Sequence, residues 1–303
     1  MAGPMTRNDI QPWRQPPRGH FSGVPAWGAP TAAVLDQEFA LSLITDVTPQ
    51  WAWGGADGSG VRVCVLDSGI DGQHPLVGPL ERSVSVLPGP DGEFVVGDVE
   101  PGDLAGHGTA CASIIRSLAP GVSLTSTRVL TNGYSGSGAA MLAGLAWAIE
   151  EGYDIINMSL STAKDRFQSA LRDLTDQAYF RRCNLVCSAH NLPLRSWPWQ
   201  FPSVISVASH DDSDPMTYYC NPSPPVDFYA RGIRVPVAWP GGGRTVSTGN
   251  SFATPHVAAI CALILNKHPN LAPFQLKSVL YHAAKNVTRY ARGVADEQAV
   301  SAT

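Results

Sequence analysis

The chain of 303 residues lacks any apolar run approaching the ~18 residues of a membrane-crossing helix, so no membrane span is expected. It also lacks an excess of charge of one sign. Its 21 Lys and Arg against 25 Asp and Glu leave a formal charge of −4, which argues against a dedicated nucleic-acid binder. The opening residues, M-A-G-P-M-T-R-N-D-I-Q-P-W-R-Q-P-P-R, hold no apolar stretch of the secretory-signal kind. A reducing, cytoplasmic setting is the resulting expectation. Cysteine is sparse and poorly spaced for metal. Cys64, Cys111 and Cys261 lie in apolar segments, where the thiol behaves as a small core group. Cys183 and Cys187 lack a second pair, so zinc is not expected. No internal repeat is present.

What the sequence does contain is an alternation of two periodicities. Short β-prone apolar runs occur at 61–66, 122–130, 154–160, 184–189 and 203–209. Between and after them lie helical patterns at 109–118, 138–151, 166–182, 251–267 and 273–284. The alternation predicts an α/β fold: a doubly wound, mostly parallel sheet flanked by helices, in a single domain. Residues 1–42 read as an irregular Pro-rich extension, 43–287 as the folded domain and 288–303 as a polar tail.

In such sheets, ligands bind beyond the carboxyl ends of the strands. Four polar residues are predicted to meet there from separate parts of the chain. Asp67 ends the first strand, in V-L-D-S-G-I-D. His107 opens a helix, in G-H-G-T-A-C-A. Asn191 follows the strand in L-V-C-S-A-H-N. Ser251 opens a late helix, in G-N-S-F-A-T-P-H. A serine there serves either as a helix cap or as a nucleophile. With a histidine in reach to take its proton, and a carboxylate behind the histidine, the second role becomes available. Gly249 and Asn250 are expected to make the turn that presents Ser251, with Pro255 in the first helical turn. Asp71 is expected to be a turn residue. Asp98, Glu100 and Asp103 read as a solvated acidic loop, with attraction of basic substrate residues as the alternative.

The D-S-G-I-D, G-H-G-T and G-N-S-F-A-T-P-H segments resemble the three signature blocks of the subtilisin-like serine proteases. They occur in that family's chain order. The resemblance runs from about residue 43 to 287 and includes F-P-S-V-I-S-V-A-S. It implies Asp67 as orienting acid, His107 as general base, Ser251 as nucleophile and Asn191 as oxyanion donor. It implies an extended peptide or protein substrate along Ser159, Leu160 and Ser161, with Ser188, Ala189 and His190 forming the facing wall. Ser161, Thr162 and His190 stand where open-pocket relatives place glycines, which implies a narrowed pocket for the residue before the cleaved bond.

The sequence also departs from common members. The calcium-binding insertion that many relatives carry in the histidine helix is missing between Ile115 and the next strand, so no metal or other cofactor is expected. The 40 to 60 residues ahead of the core are too few and too Pro-rich for the folding prodomain of secreted relatives. The expected activity is that of a serine endopeptidase that matures a particular peptide or protein. Two alternatives stand beside it. One is a transpeptidase or macrocyclase, for which residues 83–103 are the candidate lid. The other is a catalytically inactive binding protein on the same fold. The sequence carries no sign of the oligomeric state.

Overall fold

The computed structural model describes residues 47–90, 92–130 and 135–287. The expected extension at 1–42 and tail at 288–303 lie outside the described residues. In chain order the elements are α1 (Pro49–Trp53), β1 (Arg62–Asp67), β2 (Gly69–Ile70), β3 (Arg82–Pro88), β4 (Phe94–Asp98), β5 (Gly102–Asp103), α2 (His107–Leu118), β6 (Ser123–Arg128) and α3 (Gly138–Glu150). They continue with β7 (Ile155–Met158), α4 (Gln168–Phe180), β8 (Asn184–Ser188), β9 (Ile205–His210), β10 (Tyr218–Cys220), β11 (Phe228–Arg231), β12 (Val235–Trp239), β13 (Gly243–Ser247), α5 (Asn250–Lys267) and α6 (Pro273–Ala283).

Nine strands form one sheet in the order β10-β11-β9-β8-β7-β1-β6-β3-β4. Its interior pairs are parallel, and only the outermost pairs, β10 with β11 and β3 with β4, run antiparallel. Both faces of the sheet are covered, which is why β1 reads as an unbroken apolar run. Its side chains alternate between two cores. Val63 and Val65 join the core beneath α2, α5 and α6, with Ile115, Val257 and Ile260. Cys64 and Leu66 join the core beneath α3 and α4, with Leu145, Ile149 and Leu171.

Helix α5 is the structural centre. All residues from Ser251 to Leu265 are buried, so it shows no amphipathic stripe. Each large apolar side chain there contributes roughly 1.5–3 kcal/mol of burial.

The described residues of the segment at 83–103, the candidate lid, are built largely into strands. They contribute the β3–β4 hairpin on the sheet edge and then β5, which pairs with β2. Phe94 and Val96 pack on the α3 side, while the cross-strand neighbours Leu87 and Val95 are exposed. No described helix is long and apolar enough to cross a membrane.

Candidate active site

Asp67 closes β1 and is fully buried. His107 opens α2, and its Nδ1 lies 2.8 Å from Oδ1 and 2.9 Å from Oδ2 of Asp67. The nitrogen facing a carboxylate carries the hydrogen and donates it. Nε2 is then the nitrogen with the available lone pair. Burial alone would depress the His107 pKa. The charge and hydrogen bond of Asp67, with the charge of Asp103 behind them, outweigh burial and raise it above the ordinary histidine value.

Asp103, expected in a solvated acidic loop, is instead hydrogen-bonded at the entry to α2. Its Oδ1 accepts from the Ser68 hydroxyl at 2.7 Å and from the amides of Ala105 and Gly106. Its Oδ2 accepts from Thr109 amide and hydroxyl at 2.8 and 2.6 Å. The amides of Ala105, Gly106 and Thr109 stand at the entry to α2, so one carboxylate ties down the start of the helix that carries His107. Its spacing ahead of G-H-G-T was the only sequence signal. Asp98, by contrast, pairs on the surface with Arg82 at 2.6 Å. Asp71 is a turn residue that also tethers a loop. It accepts from Gln73 and, at 3.0 Å, from the Gly241 amide.

Ser251 lies in the first turn of α5 and is 9 % exposed. Pro255 is not in the first turn. It sits inside the helix, where its missing N–H leaves the Ser251 carbonyl without the usual i→i−4 donor. That carbonyl is taken instead by the Ser159 hydroxyl at 2.8 Å and by the Cys111 thiol at 3.6 Å. The proline thus frees the Ser251 carbonyl to be tied to the strand end after β7.

Asn250 is a stitch rather than a simple turn residue. Its Oδ1 accepts from Ser209 N, its Nδ2 donates to the carbonyls of Ala189 and His190, and its own amide donates to Asn191 Oδ1 at 2.9 Å. With Oδ1 of Asn191 occupied, its Nδ2 is the remaining donor. A Cβ on Gly249 would stand 3.3 Å from Ser251 Oγ and 3.5 Å from Asn191 Nδ2. Glycine therefore leaves open the space that both polar groups border.

The donors of Asp67, His107 and Cys111 lie within 4.8 Å of one another, the metal-like cluster found among the described residues. Burial, reinforced by the charge of Asp67, raises the Cys111 thiol well above its ordinary pKa. It stays a protonated donor to Ser251 O, and Asp67 and His107 hold each other. The chemistry of the set fits proton handling better than a cation cage.

The sequence profile of the Peptidase S8 subtilase family matches residues 58–299. The chain belongs to the subtilase family. It is 31 % identical over 248 residues to subtilisin DY of Bacillus licheniformis, covering 77 % of this chain and 86 % of that one. Subtilisin E of Bacillus subtilis (strain 168) is 32 % identical over 266 residues, covering 82 % and 67 %. A cold-adapted subtilisin-like serine proteinase is similar in structure, with a TM-score of 0.61, 29 % identity and coverage of 75 % and 82 %. Sphericase gives a TM-score of 0.64 at 25 % identity, covering 77 % and 87 %. This subtilase is accordingly a subtilisin-like serine endopeptidase, and its substrates are peptides or proteins.

The remaining candidate residues flank the same edge. Ser159 bridges Asn157 Nδ2 and Ser251 O. Leu160 is partly buried on the α3 side of the sheet. Ser161 Oγ accepts from Ser196 Oγ at 3.1 Å. The Ser188 hydroxyl donates to the Ala189 carbonyl, and Ala189 N to Val207 O. His190 Nδ1 accepts from Leu192 N at 3.0 Å. Two contacts were not foreseen. Fully buried Ser196 also accepts from Trp199 Nε1 at 2.8 Å, and Thr162 pairs with Trp197 through two 2.9 Å backbone bonds. Together they join the two walls.

Proposed function

We propose that Ser251 attacks the scissile carbonyl to give an acyl-enzyme. His107 Nε2 takes the hydroxyl proton and then returns it to the leaving amine. Asp67 holds the tautomer and stabilises the imidazolium. Asn191 Nδ2 and the backbone amide of Ser251 receive the developing oxyanion. The observation that carries this reading is the buried Asp67 carboxylate straddling His107 Nδ1 at 2.8 and 2.9 Å. A fluorophosphonate probe tests it. Labelling on Ser251 that vanishes in Ser251→Ala and His107→Ala supports it, and no labelling of folded wild type overturns it.

The substrate is read as extended along Ser159, Leu160 and Ser161, its side chain before the cleaved bond entering between these residues and Ser188, Ala189 and His190. The Ser196–Ser161 hydroxyl bond and the Thr162–Trp197 pairing support a narrow, polar pocket. The biological role is read as maturation of a particular peptide or protein in the cytoplasm, and the six cysteines forming no disulfide with one another supports the reducing setting. A diverse peptide library with mass spectrometry of the products gives the cleavage motif. Small side chains before the cut support the pocket, and a clear preference for Phe overturns it.

A further inference from the structure

We propose that this protease has a second substrate subsite, a groove behind the oxyanion loop that receives acidic residues on the leaving side of the scissile bond. It rests on the reading of Ser251 and Asn191 given above. The groove encloses roughly 520 Å³ and is bounded on one side by the 189–200 segment and on the other by β9 and β11, through Ala208 and Tyr229. Asn250, which is bonded to Asn191, forms part of its wall, so groove and oxyanion site share a border.

Its chemistry is one-sided. Arg195 lines it with apolar and aromatic groups and with His190, which it shares with the wall of the acyl-side pocket, and no Asp or Glu lines it. The Arg195 guanidinium lies 5.4 Å from the ring centroid of Trp197, itself only 2 % exposed, and makes no ion pair among the described residues. The rim carries the exposed aliphatics Leu192 and Leu194. A cation held on a buried aromatic face beside exposed aliphatic groups suits a peptide segment with a carboxylate side chain.

The leaving side is part of the proposal, and the sheet order suits it. β8 lies between β7 and β9 in the sheet. The acyl half of the substrate follows residues 159–161, at the end of β7. A chain that passes Ser251 and Asn191 continues over the β9 side, where the groove opens. The occupant is therefore the leaving half of the substrate itself.

Peptides with one acyl half and leaving halves bearing Glu, Gln or Lys at the second and third positions test the proposal. The readout is the ratio of kcat/KM values within each enzyme, which does not depend on absolute activity. Wild type is expected to favour Glu over Gln by about fivefold at low salt, and the preference to shrink as salt is added. Arg195→Glu should reverse the order in favour of Lys, Arg195→Gln should abolish it, and Arg195→Lys should retain part of it. An unchanged ratio in folded Arg195→Glu and Arg195→Gln, or no Glu preference in wild type, overturns the subsite. Neither result touches the nucleophile, whose failure would appear as turnover surviving in Ser251→Ala.

Discussion

At the β1–α2 end of the active-site edge, Asp67 is fully buried and Asp103 is bonded to the Ser68 hydroxyl, the amides of Ala105, Gly106 and Thr109, and the Thr109 hydroxyl. At the β8 end, residues 191–195 are all exposed, and the loop is tied to the rest chiefly through Asn250 and the buried pair Ser196 and Trp197. The acid–base half is thus built into the core, where a 1 Å displacement would break several bonds at once. The half proposed to meet the oxyanion and the substrate is a surface loop pinned at a few points. Proton transfer demands fixed geometry, whereas recognition tolerates replacement of exposed residues.

The contrast breaks most severely at the reacting groups. Ser251→Ala and His107→Ala should each lower kcat by a factor on the order of 10⁴–10⁶, and the double variant should be little worse, because the residues act as a unit. Active-site-titrated kinetics on a peptide substrate checks this. Asn191→Ala should lower kcat by roughly 10²–10³ with KM nearly unchanged, since the amide bonds a charge that exists only in the transition state. A change confined to KM would place the amide on ground-state substrate instead.

Asp103 tests the buried half without touching substrate. Asp103→Ala strands several donors and should cost about 2–4 kcal/mol, seen as a fall of roughly 5–10 °C in Tm. Asp103→Asn preserves the shape but removes the charge that helps raise His107. The catalytic form of His107 is neutral, so activity is lost as pH falls through its pKa, and the wild-type acid limb should lie above ~6.5. In Asp103→Asn that limb should move to lower pH. The stability linkage has the opposite sense. The raised pKa stabilises the fold below ~6.5, and this contribution disappears as pH rises past the folded-state value.

The two halves also differed in how far the sequence revealed them. The sheet, its flanking helices and the positions of Asp67, His107, Ser251 and Asn191 were legible. Strands buried on both faces read as apolar runs, and Asp67, His107 and Ser251 stand at a strand end or helix start, with Asn191 in the loop after β8. The role of Asp103 was not legible, because a carboxylate that accepts from neighbouring amides looks in sequence like any loop acid. The hairpin at 82–98 was missed because an edge strand such as Phe94–Asp98 is half exposed and too short to show a clear period. Pro255 was placed one turn too early, and only the folded structure shows which hydroxyl takes the carbonyl it frees. Ser196 gave no signal, since its contacts to Ser161 and Trp199 depend on how the loop folds back.

His256 carries the comparison into the core of α5. Its Nδ1 contacts Phe252 O at 2.8 Å, and burial, aided by the charges of Arg231 and His210, lowers its pKa to about 4. Between ~6.5 and 4 the unfolded chain takes up a proton that the fold refuses. Stability should therefore fall with pH across that window, by roughly 3 kcal/mol in all. His256→Gln should flatten the denaturant-midpoint profile over this range. An unchanged slope would assign the acid sensitivity to other groups.

The smallest expected effect is that of a chelator. At two places among the described residues a basic side chain gathers backbone carbonyls as a cation would. Arg116 donates to the carbonyls of Val77, Pro79, Pro120 and Val122, at 2.7 to 3.2 Å, and so holds the turn after α2 against the loop before β3. Lys277 Nζ reaches Val204 O and Asp227 Oδ2, both at 2.9 Å, near the base of the loop that carries Asn191. A covalently attached cation cannot be removed by EDTA. Chelator should shift Tm by less than about 2 °C, whereas Arg116→Met leaves four carbonyls without their donor and should cost roughly 2–4 kcal/mol. Thermal melts of both enzymes with and without EDTA, then with calcium restored, separate the contributions. A large calcium-dependent shift in wild type would show that an ion shares the work here assigned to Arg116. Calcium sensitivity appearing only in Arg116→Met would show that the carbonyl cradle accepts an ion once the guanidinium is gone.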